Sequence, residues 1–309
     1  MNRCPITYEP LPDASPYSRA GLRLLNRNLA SLAPLEFTAE QQRQEAIHRA
    51  GKMSIQGLQL KLSVVLRITE GRFEVVNRGG RYILKPQSLD FRELPENEDV
   101  TMRMAAVVGI EVPVHGLLSS VDGSFTYFIK RFDREGRDRL PVEDFAQLSG
   151  ASRETKYESS MEKIAGVIDQ YCTFPALERV KLFERTLFSF LVGNEDMHLK
   201  NFSLLSRNGK VELAPAYDFL NTTIALGAAK EELALPVRGK KSRLTHNDLF
   251  AYFARERLQI NEKVLSDVGF RFAKAIPAWR ELVNESFLSM GMKEKYAGVL
   301  MERAQRMQL

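Results

Sequence analysis

The spacing of apolar positions changes twice along the chain. No period survives the first 50 residues, because prolines at 5, 10, 12, 16 and 34 interrupt it. One short helix fits within residues 18–32, and Thr38-Ala39-Glu40-Gln41 reads as an N-cap opening a helix that runs to about Arg49. From residue 54 the period becomes two. Apolar runs at 61–68, 73–76 and 81–85 are separated by Glu70-Gly71-Arg72 and Asn77-Arg78-Gly79-Gly80, which predicts an antiparallel meander. Val100, Met104, Val107 and Val108 then recur at helical spacing, and Gly109 ends that helix. Two further strands are predicted at 114–119 and 125–131.

The second half is mostly helical. Residues 159–171 and 176–192 form two helices, the latter with Val180, Phe183, Leu187, Phe188 and Leu191 on one face. A short β-rich patch follows at 202–205 and 210–213. Helices at 247–256, 261–275, 277–290 and 293–306 close the chain, with Pro277 read as a break. The pattern predicts an α+β protein with two lobes, divided as 1–132 and 133–309.

The 309 residues are 44% apolar and 27% charged, with formal charge +5. That balance suits a phosphate ligand or an acidic partner and is too small to signal DNA binding. Two distant cysteines, Cys4 and Cys172, exclude a disulfide framework and a thiolate-rich metal site. The four histidines show no metalloprotease spacing. No apolar run approaches a membrane span, and the N-terminus has no apolar signal core, so a cytoplasmic protein is expected.

The chemistry concentrates in Gly193-Asn194-Glu195-Asp196-Met197-His198-Leu199-Lys200-Asn201-Phe202, a loop between a buried helix and a short strand. Asp196 and Asn201 stand five residues apart, the spacing of a kinase catalytic loop. A carboxylate there suits acceptance of a hydroxyl proton, and an amide oxygen suits a hard divalent cation. Asp218, in Ala216-Tyr217-Asp218-Phe219, lies beyond a short hairpin from which it can return toward the same ion, although Leu220 replaces the glycine of a kinase Asp-Phe-Gly. Tyr82-Ile83-Leu84-Lys85 is similar to the strand that carries a phosphate-binding lysine, with Glu96 and Glu98 as ion-pair candidates and Glu98 preferred. Singly, each residue has a plainer reading as turn, cap or solvated charge. Their order on fitting contexts points to phosphoryl transfer. The basic run 238–243 reads either as a solvated loop or as a face for an acidic substrate.

Together these stretches resemble the HipA-like serine/threonine kinases of bacterial toxin–antitoxin systems. The resemblance rests on Ser54-Ile55-Gln56-Gly57-Leu58-Gln59-Leu60-Lys61, Ile83-Leu84-Lys85-Pro86, Glu96-Asn97-Glu98, Arg131-Phe132-Asp133-Arg134, the 193–202 loop and Tyr217-Asp218-Phe219, in family order over residues 50–260. Only 53 residues precede Ser54, which is similar to the short HipT-type members. The resemblance implies a bilobal protein-kinase-like fold using ATP and Mg²⁺. Lys85 would hold the phosphates, with Gly57 and Gln59 in the covering loop. Backbone groups of Lys130 and Phe132 would meet the adenine. Asp196 would be the base, Asn201 and Asp218 the metal ligands, and His198 a residue of the same loop. Ser54 would be autophosphorylated, alone, because Gln56 occupies the place of a second serine. The implied partners are a DNA-binding HipB-like antitoxin and a small HipS-like protein. The implied substrate is an aminoacyl-tRNA synthetase, the tryptophanyl enzyme foremost. No direct nucleic-acid binding is expected. A small-molecule phosphotransferase and an inactive antitoxin-binding module are the alternative readings.

Overall fold

The computed structural model describes residues 2–12, 15–50, 60–136, 138–152, 154–227 and 231–309. The chain divides into two compact units. One comprises Met1–Val100, Pro113–Arg131 and Glu285–Leu288, and the other Thr101–Val112, Phe132–Asn284 and Ser289–Leu309. A single cut at residue 132 therefore misses two short exchanged segments, 101–112 and 285–288.

The first unit holds helices α1 (Arg19–Leu25) and α2 (Ala39–Ala50), the start of α3 (Leu94–Val107), and five strands. The strands are β1 (Leu62–Arg67), β2 (Arg72–Val75), β3 (Tyr82–Lys85), β4 (His115–Ser119) and β5 (Phe125–Lys130), in the antiparallel order β2-β1-β3-β5-β4. The registers Leu62↔Leu84, Val64↔Tyr82, Leu84↔Phe128 and Gly116↔Phe128 put Leu62, Val64, Tyr82, Leu84 and Phe128 on one face. The proline-broken N-terminal segment covers that face, through Cys4, Ile6, Tyr17, Leu22, Leu25, Leu29, Leu32 and Leu35. Gly116 permits the approach. A Cβ there would lie 2.9 Å from Phe128 and 3.2 Å from the Ile6 backbone. The opposite parity, with Lys85 facing Tyr127 and His115 facing Ile129, is left to the polar start of α3.

The second unit is built on α6 (Pro175–Val192), which is buried without interruption from Leu182 to Val192. Around it lie α5 (Met161–Tyr171), a π-wound helix at Asn247–Arg257, and the helices Glu262–Glu285 and Met290–Arg306. Phe188 packs on Phe219 and Trp279 at ring separations of 4.9 and 5.5 Å. The short strands β9 (Ser203–Arg207) and β10 (Lys210–Leu213) are joined by β8 (Val142–Asp144) into a three-stranded sheet. A small ribbon, β6 (Arg134–Glu135) with β7 (Asp138–Arg139), precedes it. The short helices α4 (Phe145–Leu148) and α7 (Thr222–Leu226) complete the unit.

Pro277 does not break its helix. The stripe Phe272, Ala275, Ile276, Trp279 and Val283 is buried on one side. The Trp279 indole N–H donates to the Met104 carbonyl at 2.8 Å. Packing of that stripe outweighs the roughly 3 kcal/mol that an interior proline costs. The first helix, Arg19–Leu25, lies within the expected 18–32 and stops where Asn26 turns extended. Among the described residues no helix is long and apolar enough to cross a membrane.

Candidate active site

In the first unit Lys85 ends β3 and points at α3. Its Nζ lies 2.5 Å from Glu98 Oε1, with the side chains 3% and 0% exposed, and 5.6 Å from the centre of the Tyr127 ring. Glu98, not Glu96, makes this pair. Two residues along a helix turn by about 200°, so only one of the two can face the sheet. Asp99 is the next residue and receives His115 Nδ1 at 3.0 Å. Glu96 is half-buried, with one buried oxygen, Oε2, lacking a hydrogen-bond partner among the described residues. Burial, with help from the charges of Glu93 and Asp99, pushes its carboxyl up to about 7.

In the second unit α6 ends abruptly at Gly193, whose φ of 77° is left-handed. The loop then closes on itself. Asp196 N–H donates to Asn194 Oδ1 at 3.1 Å, and His198 N–H to the Asp196 carbonyl at 2.8 Å. Asn201, on a 3₁₀ turn (Leu199–Asn201), donates its Nδ2 to the same carbonyl at 3.0 Å. The five-residue spacing is thus realised as a side-chain-to-backbone tie, and it turns the Asn201 amide oxygen away from Asp196.

The Asp196 carboxylate is itself held by the Tyr157 hydroxyl, which donates to Oδ1. Burial, together with this bond, raises the Tyr157 hydroxyl above the ordinary tyrosine range. Burial also lowers His198, so its neutral Nε2 accepts from Lys156 Nζ at 2.7 Å. The proton then rests on His198 Nδ1, which is buried with no partner among the described residues. Lys156 and Tyr157 lie some 40 residues upstream, and no spacing in the sequence marked them.

Asp218 arrives from beyond β10 with φ 57°. On either side it is anchored. Tyr217 donates to the Lys200 carbonyl at 3.0 Å and is bonded to Ser203 Oγ at 2.5 Å. Phe219 is buried against Phe188. The charges of Asp196 and Asp218 both act on His198. Among the described residues no group of three or more His, Cys, Asp or Glu side chains is set to hold a metal. A hard cation at this place would therefore rest on the Asn201 amide oxygen and Asp218, completed by oxygens from phosphate and water. Both are oxygen donors and suit Mg²⁺.

Ser54, Gly57 and Gln59 lie outside the described residues. Lys130 ends β5 with its N–H donated to the Val114 carbonyl at 2.8 Å. Phe132 stacks on Tyr217, 5.6 Å between ring centres. The basic run stays largely exposed, with two of its lysines paired to carboxylates. Lys240 pairs with buried Asp248 at 3.1 Å, and Lys241 with Glu231 at 3.3 Å.

A model of the HipA-like C-terminal domain family matches residues 53–280. A putative kinase of Haemophilus influenzae is 33% identical over 241 residues, covering 72% of this chain and 69% of the relative. The serine/threonine-protein kinase toxin HipA of Shewanella oneidensis is 26% identical over 226 residues, 65% of this chain and 49% of that protein. A solved Shewanella oneidensis HipA, in complex with HipB and its operator DNA, superposes with a TM-score of 0.70 at 22% identity over 90% of this chain and 72% of that one. This likeness shows the fold, an α+β fold shared with a kinase toxin.

Two outcomes follow from α3. Glu98→Ala removes the carboxylate paired with a buried ammonium and should cost about 3–5 kcal/mol in urea unfolding, whereas the double change Lys85→Met with Glu98→Leu should recover most of that loss. Glu96 binds its proton more tightly folded than unfolded, so it subtracts stability as pH rises from 4.5 toward 7, by about 3 kcal/mol at ~1.4 kcal/mol per pKa unit. Melting temperatures taken across that range should fall for the native chain and lose this slope in Glu96→Gln.

Proposed function

The chain belongs to the HipA-like C-terminal domain family, whose relatives include named kinases, and from that premise we propose that it is an ATP- and Mg²⁺-dependent serine/threonine protein kinase. The observation that carries this reading is the tied Asp196–Asn201 pair beside Asp218. A carboxylate held at its backbone N–H, its carbonyl and one carboxylate oxygen cannot turn freely. Such a group is poised to accept the proton of an acceptor hydroxyl as the new O–P bond forms.

Asn201 and Asp218 hold the magnesium ion. When bound, that ion offsets phosphate charge. Lys85, kept extended by Glu98, supplies a point charge to the phosphates. Tyr157 keeps Asp196 in one rotamer, and His198, neutral and donated to by Lys156, fills the loop without a proton role. Carbonyl and amide groups near Lys130 and Phe132 meet the adenine, and the loop bearing Gly57 and Gln59 covers the phosphates.

The kinase is a toxin acting in the cytoplasm. The Shewanella complex supports a HipB-type DNA-binding antitoxin as one partner. A small HipS-like protein is the second partner in this reading. The substrate is an aminoacyl-tRNA synthetase, with the tryptophanyl enzyme first to be tried. Ser54 takes phosphate from the chain's own site, and the two or so negative charges this adds oppose nucleotide binding.

Incubation with labelled ATP and phosphopeptide mapping test the whole reading. The native chain should label Ser54, and Asp196→Asn should lose labelling by about 10²–10⁴-fold. Phosphoproteomes of cells expressing the two forms should differ in one translation protein. Undiminished labelling in Asp196→Asn, or label only on added small molecules, would discard it.

A further inference from the structure

The segments carrying Asp196 and Asp218 are distant in sequence, and among the bonds that join them are two made by the Thr222 hydroxyl. Thr222 Oγ1 accepts the Glu195 N–H at 2.7 Å and donates to the Gly193 carbonyl at 3.1 Å. It therefore uses both hydrogen-bonding roles on the same loop. Glu195 is adjacent to Asp196, and Thr222 is four residues beyond Asp218. Thr222 is 8% exposed, and the neighbouring Asn194 and Asn221 are fully buried, so no solvent stands ready to replace the bond.

The two ends of this bridge are not equally dependent on it. The Gly193 carbonyl also receives Thr223 N–H and Thr223 Oγ1, each at 3.1 Å. The Glu195 N–H has Thr222. Loss of the Thr222 hydroxyl thus orphans one specific amide, next to Asp196, and leaves the rest of the junction bonded. There is also no slack in the fit. A Cβ at Gly193 would stand 2.7 Å from Asn221 Oδ1 and 3.0 Å from Thr223 Oγ1.

We propose that Thr222 is a positioning residue that sets the register of Asp196 relative to Asp218; the proposal rests on the kinase reading of those two residues. It touches neither nucleotide nor acceptor and acts through Glu195. A displacement of the loop by a fraction of an ångström lowers transfer while leaving the nucleotide bound, because alignment of the reacting groups is the more demanding requirement.

The test compares Thr222→Val, which keeps the shape and removes the hydroxyl, with Thr222→Ser, which keeps the hydroxyl. Transfer of labelled phosphate should fall about 10- to 100-fold in kcat for Thr222→Val, with KM for ATP within twofold. Thr222→Ser should stay within about threefold of the native rate. Hydrogen exchange of the peptide spanning 193–198 should quicken in Thr222→Val alone, with the rest of the chain unchanged. Thr222→Ala replaces Thr222→Val if the latter fails to fold, with the same expectation. Native kcat in Thr222→Val, or equal losses in the Val and Ser variants, overturns the proposal. Asp196→Asn runs in parallel: if it is active, the kinase reading fails, and if it is dead while Thr222→Val is native, only the role of Thr222 fails.

Discussion

A polar loop placed away from water must satisfy its own hydrogen-bonding groups, and that requirement organises the second unit. Helix α6 is buried to its last residue, so the chain leaving it at Gly193 has no solvent to turn to. Asn194 reaches forward to the Asp196 amide, Asn201 reaches back to the Asp196 carbonyl, and Thr222 and Thr223 close on Gly193. The same bonds that make burial tolerable also fix the Asp196 backbone, while the Tyr157 hydroxyl holds its carboxylate. Order at the candidate base is thus a by-product of desolvation and needs no separate cause.

The first unit meets the same demand with charge. Lys85 and Glu98 are both inaccessible, and each offsets the cost of burying the other's charge. The pairing of His115 with Asp99, one residue along, extends the polar seam between sheet and helix. Glu96 shows the cost of desolvation without a counter-charge, since burial pushes its carboxyl up to about 7. Three acidic residues within four positions of one helix thus have three different environments, decided by which side of the helix each occupies.

Much of this was legible in the residues alone. Alternation in 61–85 and 114–131 marked the sheet. The five-residue step from Asp196 to Asn201, the later Asp218 and the strand-end Lys85 marked the site and the family. The short pieces were not legible. Strands β6 and β7 have two residues each, and α4 and α7 have four and five, too few for any period to register. The helix through Pro277 was misread because local chemistry argues for a break there, while the force that prevents it comes from Met104 and the buried stripe around Trp279.

What the sequence settled by itself was the chemical inventory and its order, because carboxylates, an amide and a lysine at given spacings are local facts. The choice among equivalents was tertiary. Whether Glu96 or Glu98 meets Lys85 depends on the rotation of α3 against the sheet. That Tyr157 holds Asp196, that Lys156 holds His198 and that Thr222 joins the loop to the Asp218 segment depend on contacts across 27 to 42 positions of chain. A side chain's partner at that range is set by how the intervening elements pack, and packing is a property of the whole unit, beyond the reach of any window of residues.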